Sequence, residues 1–207
     1  MFYEPHKRNH GLRYDPFKAL IVPRPIGWIS SLRADGAVNL APYSFFNGIS
    51  ARPPMVMFAS EGEKDSLRNV RDTREFVCNF VSRDLAVAMN DTSAPLPHGT
   101  SEFGYAGLTA VPSHIVSPPR VAEAKAALEC KLLQVVAVDD LEGQPTDRFL
   151  VIGQVVGVHI DDAMITDGMV IATRMRALAR LGYNDYASVD EAFEITRPKG
   201  GANELAV

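Results

Sequence analysis

The stretch Lys64-Asp65-Ser66 combines residue types that could bind an anion. It stands directly before Leu67 and Val70, whose spacing of three predicts a short helix that begins near residue 66, with Asp65 and Ser66 as candidate caps. A helix N-terminus presents free backbone N–H groups and a partial positive charge, so an adjacent lysine and serine suit a phosphate. A capped surface helix is the simpler interpretation of this motif alone, and Asp65 would repel a phosphate unless its carboxylate points away.

A second group of polar and aromatic residues lies in APYSFFNGIS, residues 41–50. In a strand, alternate side chains share a face, so Asn47 would share one with Tyr43 and Phe45. The opposite face carries Ser44, so neither face is purely apolar. Hydrogen-bonding groups beside flat rings suit a wall that contacts a flat ligand with heteroatoms. The alternative is a strand that ends in a turn after Asn47.

The strand-like run GWISSL, residues 27–32, precedes this segment and is joined to it by RADGA, in which Asp35-Gly36 predicts a hairpin. Pairing of the two runs would bring hydroxyls, an amide and aromatic rings around one groove. Core packing is the commoner reason for aromatic residues in strands, so only the combination with an anion site favours binding. The residues concerned are Trp28, Ser30, Ser31, Tyr43, Ser44 and Asn47.

Several familiar catalytic signatures are missing from the sequence. It contains no G-x-G-x-x-G after a strand, no P-loop, no H-E-x-x-H and no G-x-S-x-G. Only His6 and His10, among five histidines, stand at a close metal-ligand spacing, so metal catalysis is not favoured. Cys78 and Cys130 sit singly in apolar runs and are predicted to be buried, inert thiols.

Composition and charge exclude several classes of protein. The chain has 207 residues, 46% of them hydrophobic and 22% charged, as in an ordinary globular protein. A net charge of -4 gives no basic surface for nucleic acid or an anionic membrane. No segment approaches the run of about 18 apolar residues that a membrane helix needs, and no export signal precedes the chain, so we expect a cytoplasmic protein.

The remaining pattern predicts a single β-rich domain over residues 1–207. Most predicted strands join their neighbours through tight turns, which indicates a chiefly antiparallel barrel or sandwich of six or so strands with few helices. The Pro-, Gly- and Ser-rich segment 92–120 is predicted to be a long surface loop that carries function. The other predicted elements are strands at 38–46, 55–59 and 75–81, a helix at 83–91, and two long strands in ALECKLLQVVAVDDL and RFLVIGQVVGVHIDD that form a hairpin.

Several segments, taken in order, resemble one known family. They are PRPIGWISSL, NLAPYSFFNGIS, PPMVMFAS, KDSLRN, EFVCNFV, SEFGYAGLTAVPS, ALECKL, GQVVGVHIDD and RLGYNDY. Together they resemble the flavin reductase-like family of FMN-binding split-barrel proteins, over roughly residues 17 to 186. The resemblance implies a six-stranded antiparallel split β-barrel with flanking short helices, and a homodimer that binds one FMN per subunit near the interface.

The resemblance also implies which residues bind the cofactor. Ser44 and Asn47 would face the isoalloxazine or ribityl group, Lys64 and Ser66 would hold the phosphate, and the segment from Arg180 to Tyr186 would close over the site or the interface. His159 either touches the site or is a hydrogen-bonded strand histidine. The complete implied set is Trp28, Ile29, Ser30, Ser31, Ser44, Phe45, Asn47, Lys64, Ser66, Arg180 and Tyr186.

The chemistry that the resemblance implies needs no catalytic side chain. N5 of oxidised FMN accepts a hydride from NADH or NADPH, and the protein positions the two rings. The loop from His98 to Tyr105 could cover the site. The leading hypothesis is therefore an FMN-dependent NAD(P)H oxidoreductase of the flavin reductase type, with a monooxygenase or another electron acceptor as partner. The rivals are an FMN-binding electron-transfer protein that does not oxidise NAD(P)H, and a barrel that binds partners without a cofactor.

Overall fold

The structure is a computed structural model that describes residues 1–96 and 100–198. The strands are β1 (Arg24–Pro25), β2 (Gly27–Leu32), β3 (Val38–Tyr43), β4 (Phe46–Ala51), β5 (Pro54–Glu61), β6 (Glu75–Asn79), β7 (Ala110–Val111), β8 (Arg120–Val121), β9 (Ala126–Asp139), β10 (Pro145–Ile160), β11 (Ile165–Thr166), β12 (Met169–Val170), β13 (Leu178–Arg180) and β14 (Tyr186–Ser188). The helices are α1 (Phe17–Leu20), α2 (Asp65–Thr73), α3 (Ala86–Asp91), α4 (Glu102–Tyr105) and α5 (Ala172–Met175), with 3-10 turns at Pro5–Lys7, Arg83–Leu85 and Asp162–Met164.

One antiparallel sheet dominates the fold. Its seven strands follow the order β3, β2, β6, β9, β10, β5, β4, so the two edge strands are consecutive in the chain. Edge strands β3 and β4 are joined by Ser44 and Phe45 but are not hydrogen-bonded to each other. The sheet is therefore curled but not closed, which confirms the predicted split barrel. A smaller sheet of β1, β13 and β14 lies beside it.

The main sheet has seven strands where six were predicted, because the predicted strand 38–46 spans two separate strands, β3 and β4. The run 38–46 breaks at Ser44, where the chain bends, and β4 then runs along β5. The backbone N–H of Ala59 donates to the carbonyl of Phe45 at 2.8 Å and fixes this bend. The mixed faces of residues 41–50 therefore reflect two strand segments, and period-two alternation does not run through them.

Elsewhere, local sequence patterns predicted hairpins and helices that the structure contains. The hairpin between β2 and β3 turns at Asp35-Gly36, with Gly36 at φ +87°, and β9 and β10 form the predicted long hairpin. Helix α2 begins at Asp65, close to the predicted start, but its N-cap is Lys64, and neither predicted cap bonds its first turn through a side chain. The predicted helix at 83–91 is a 3-10 turn followed by α3.

The core lies on both faces of β2. Ile29 packs inside the barrel with Phe58, Phe76 and Leu67 of α2. Trp28 points the other way, into a second cluster beneath α3 and α4. Both cysteines are free and buried, as predicted, and burial raises the pKa of Cys78, with a further contribution from Cys130.

The segment 92–120 is a long excursion that carries α4 and the small sheet of β7 and β8. Phe103 in α4 is buried against the core, which attaches the excursion to the barrel. His98, which was expected to be part of a cover over the site, lies outside the described residues. None of the helices in the described residues has the length and apolar character needed to cross a membrane.

Candidate functional site

A groove of about 640 Å³ runs along the β3 edge of the sheet. Its volume lies within the range of about 300 to 1,000 Å³ that is usual for small-molecule sites. The walls come from β3, the bend after it, the end of β5, the start of α2, and the segments around residues 92–96 and 102. The principal lining residues are Lys18, Asn39, Tyr43, Ser44, Phe45, Lys64, Asp65, Ser66, Arg68, Thr92, Ser93 and Glu102.

One end of the groove is positively charged. Lys64 is the N-cap of α2 and lines the groove, and the first turn of the helix that follows has free backbone N–H groups. Asp65, whose charge would oppose an anion there, forms an ion pair with Arg68. Lys64 itself has no carboxylate within ion-pair distance among the residues that the structure describes. The predicted anion cradle therefore has an unneutralised cation.

Hydroxyl groups line the wall next to this end. Ser66 is buried, and its Oγ accepts a hydrogen bond of 2.9 Å from the Asn39 side chain. The phenol oxygen of Tyr43 is also buried but has no hydrogen-bond partner in the described part of the chain, although the hydroxyls of Ser60 and Ser66 are its polar neighbours. Burial raises the pKa of Tyr43. An unpartnered buried hydroxyl costs free energy, which is a feature of sites that are completed by a ligand.

The bend between β3 and β4 forms the opposite end of the groove. Phe45 is 36% exposed there and lines two cavities, the groove and a recess of about 370 Å³ that also contains Asn47. A third recess, of about 170 Å³, contains Arg180 and Tyr186. Ser44 lines all three cavities, so they meet at the bend.

The structure thus brings together seven of the predicted site residues around one continuous surface. These are Ser44, Phe45, Asn47, Lys64, Ser66, Arg180 and Tyr186. The Asn47 side chain is exposed, and its oxygen accepts a hydrogen bond from the following backbone N–H. Arg180 lies 4.4 Å from the centre of the Tyr186 ring, which fixes both side chains at the mouth of the third recess.

The other four predicted residues, Trp28, Ile29, Ser30 and Ser31, are fully buried and do not line these cavities. The Trp28 indole donates to Thr92 Oγ1 at 2.9 Å, Ser30 Oγ donates to a backbone carbonyl at 2.5 Å, and Ser31 Oγ accepts from Asn69. Both faces of β2 are covered and both of its edges are paired, which explains this placement. Their contact with a cofactor stays a prediction.

Other groove residues were missed by the sequence reasoning. Asn39 follows the period-two rule, because it shares a face with Ala41 and Tyr43, and extending the alternation back along β3 would have found it. Lys18 and Glu102 come from distant parts of the chain, with no local signal. The Glu102 carboxylate accepts from the backbone N–H of Leu40, and burial raises its pKa.

His159 lies in a separate cluster around Glu129. Its Nε2 is 2.5 Å from Glu129 Oε1, so the interpretation as a hydrogen-bonded strand histidine is confirmed. Burial by itself would raise the pKa of Glu129, but hydrogen bonds from the backbone N–H of His114, from His159, and from the backbone N–H groups of Ile115 and Val116 hold it at about 2. This cluster anchors the 113–117 loop to β9.

No group of three or more histidine, cysteine, aspartate or glutamate residues in the described parts of the chain is arranged to hold a metal ion. The chemistry that the groove can support is therefore binding. A cation and helix N–H groups lie at one end, hydroxyls lie along the wall, and an aromatic face lies at the other end. This arrangement suits an elongated molecule with an anionic tail and a flat heteroaromatic head.

Comparisons with known proteins place the chain in a family. The family model described as the flavin reductase like domain matches residues 19–179. An uncharacterised protein of Halalkalibacterium halodurans is 38% identical over 86% of this chain and 87% of its own. Among solved structures, component B of nitrilotriacetate monooxygenase from Bacillus cereus aligns with a TM-score of 0.86 at 31% identity, covering 94% of this chain and 98% of its own.

A second solved structure, the 2-nitrobenzoate 2-nitroreductase of Pseudomonas fluorescens, aligns with a TM-score of 0.82 at 27% identity, over 98% of this chain and all of that one. The family match covers well over half of the chain and includes the barrel strands, the bend and α2. The chain belongs to the flavin reductase-like family.

Proposed function

We propose that this protein binds FMN in the β3 groove and uses it as an NAD(P)H-dependent oxidoreductase of the flavin reductase type. The observation that carries the proposal is the lining of the groove. Lys64, which has no acidic partner among the described residues, stands at the N-terminus of α2, and the partly exposed Phe45 lies at the bend. Family membership supports the same cofactor class.

The residues present fit FMN. Lys64 and the first turn of α2 would hold the phosphate, because an ammonium and free N–H groups together make charge-assisted hydrogen bonds to its oxygens. Tyr43 lines the groove, and its buried hydroxyl has no hydrogen-bond partner among the described residues, so a polar group of the cofactor could complete its hydrogen bonding. Ser44 and Phe45 would then border the ring at the bend.

The contribution of the chain to the reaction is binding and orientation. When bound, FMN supplies the redox chemistry, because its ring accepts a hydride from a nicotinamide. Phe45 and Ser44 would position the ring where the groove opens into the two recesses, which leaves room for a second substrate. No side-chain nucleophile is required for this reaction.

The finer features of this function are also proposals. We propose a homodimer, because the family resemblance places the flavin near a subunit interface, and we predict a cytoplasmic location. A separate monooxygenase is proposed as an electron acceptor, since one similar protein is a monooxygenase component. A reductase that acts on an aromatic acceptor itself is the second candidate, since another is a nitrobenzoate nitroreductase.

The deciding experiment is the visible absorption spectrum of the purified protein with FMN, recorded without oxygen before and after NADH and then NADPH. Bleaching of the bound flavin on the timescale of turnover is the expected result. Flavin that stays yellow until a chemical reductant is added would show an electron-transfer protein instead. A protein that leaves the spectrum and fluorescence of added FMN unchanged would overturn the cofactor assignment.

A further inference from the structure

Two arginines stand opposite each other beside the groove. Arg24 in β1 and Arg180 in β13 are register partners, and residues directly opposed in antiparallel strands point to the same face, with their Cβ atoms about 5 Å apart. Burial lowers the pKa of Arg24, and the positive charge of Arg180 lowers it further. Opposed like charges are destabilising, so this pair has a cost in the protein alone.

Neither arginine has an acidic partner within the described residues 1–96 and 100–198. Arg24 is only 7% exposed, and its guanidinium donates to the backbone carbonyls of Lys18, Ile21 and Leu181, which carry no charge. Its Nε–H is buried and has no hydrogen-bond partner in the same ranges. The guanidinium also lies 5.7 Å from the centre of the Phe45 ring. A buried cation whose partners are all neutral is unusual, because buried charges are usually paired with an opposite charge.

The segment that follows β13 packs closely against α1 beside the two arginines. A Cβ atom at Gly182 would lie 2.5 Å from the Cβ of Ala19 in α1, so only glycine allows the approach. The same approach lets Arg24 reach the carbonyl of Leu181 from the opposite side. The chain therefore holds Arg24 rigidly between α1 and β13, behind the more exposed Arg180.

The pair faces the cavities on the far side of the bend from Lys64. Arg24 lines the recess that contains Phe45, and Arg180 lines the recess that contains Asn90 and Ser93, with Ser44 shared between them. Arg180 is half-buried, stacks on Tyr186 and donates through one nitrogen to the carbonyl of Tyr183. Its remaining N–H groups can form the planar fork that suits a carboxylate or a phosphate.

We propose that Arg180, with Arg24 as a fixed second charge behind it, forms an anion subsite for the second substrate, the molecule that exchanges electrons with the flavin. The inference rests on the proposed function and extends it, because it assigns an oxyanion to that substrate. Two sources share this chemistry: the carboxylate of an aromatic acceptor, or the pyrophosphate of a nicotinamide dinucleotide. Lys64 is the cation for the cofactor, and Arg180, which the family resemblance counted among the cofactor residues, is assigned here to the reaction partner.

The first test measures binding of benzoate and its neutral analogue benzamide to the FMN-loaded protein by calorimetry. Arg180→Gln should weaken benzoate binding about tenfold or more and leave benzamide within about twofold, since only the charged hydrogen bonds are lost. Arg180→Lys should recover part of the benzoate affinity. The control Arg174→Gln makes the same change of charge at an exposed residue that lines none of the three cavities, and it should leave both affinities unchanged.

The second test separates the two sources of the anion. If the dinucleotide pyrophosphate is bound, Arg180→Gln should raise the KM for NADH about tenfold but not the KM for reduced nicotinamide riboside, which lacks phosphate. If both benzoate affinity and the KM for NADH are unchanged in a folded Arg180→Gln protein, the anion subsite is wrong. A wild-type flavin that NADH cannot reduce would overturn the reductase function instead, and the benzoate titration would still decide the subsite.

Discussion

The Lys64 end of the groove and the Glu129 cluster both hold charged side chains, but their charges are satisfied in different ways. Glu129 is fully buried and accepts hydrogen bonds from three backbone N–H groups and from His159. Lys64 is exposed at a helix N-terminus without an acidic partner among the described residues. A charge whose hydrogen bonds are complete stabilises the fold, whereas a charge without a partner is available to a ligand.

The largest expected effect comes from breaking the completed cluster. Glu129→Gln removes the charge and turns an amide N–H₂ toward backbone donors, so we expect a loss of about 2 to 4 kcal/mol in the free energy of unfolding. Urea denaturation measures the change. Glu142→Gln, in an exposed turn, is the matched control and should change stability by less than about 0.5 kcal/mol. An equally small effect at Glu129 would contradict the assigned role.

The pH dependence of stability tests the same cluster in the wild-type protein. The folded-state pKa of Glu129 is about 2, below its ordinary value of 4.5, so its contribution is present above pH 4.5 and is lost as the pH falls toward 2. We therefore expect the wild type to lose stability more steeply than Glu129→Gln between these pH values. Asp35 also has a lowered pKa of about 2, caused mainly by Arg33, but it is present in both proteins and cancels. Parallel curves would show that Glu129 does not titrate in this way.

Removing Lys64, which has no acidic partner among the described residues, should weaken ligand binding and leave stability unchanged. Lys64→Ala is expected to weaken FMN binding by about 1 to 3 kcal/mol, because a charge-assisted phosphate contact is lost, while thermal stability stays unchanged. Titration of FMN fluorescence measures the affinity. Lys131→Ala, an exposed lysine on β9, makes the same change of net charge and should leave affinity unchanged. An unchanged titration for Lys64→Ala would remove this residue from the site.

The contrast between the two regions also explains what the sequence could predict. The start of α2 and the turn at Asp35-Gly36 follow from neighbouring residues, so the local pattern was enough to predict that Lys64 and Ser66 lie at the start of a helix. The division of the predicted strand 38–46 could not be predicted locally. It depends on the hydrogen bond from Ala59 in β5, which only the folded sheet provides.

The same reason accounts for the predicted site residues that do not line the groove and for the groove residues that the sequence did not indicate. Ser30 and Ser31 look like ligand-binding hydroxyls in the sequence, but they bond to Pro119 and Asn69, which come from segments that fold over β2. Glu102 reaches the groove only because α4 packs against β3. Polar residues in a strand therefore indicate either a site or a buried hydrogen-bond network, and long-range packing decides between them.

The smallest expected effect concerns the hydroxyl of Tyr43, which has no hydrogen-bond partner among the described residues. It tests whether this polar group belongs to a ligand site or to a buried hydrogen-bond network. Tyr43→Phe removes a buried oxygen with no hydrogen bond, so we expect the protein without FMN to become more stable, by up to about 1 kcal/mol. We expect FMN binding to weaken by about 0.5 to 1.5 kcal/mol, because the bound cofactor would have used that hydroxyl. Thermal unfolding with and without FMN measures both changes, and Tyr105→Phe, on an exposed ring, should alter neither. A loss of stability in both states would mean that Ser60 or Ser66 holds the hydroxyl, and Tyr43 would then belong with Glu129 among the completed groups.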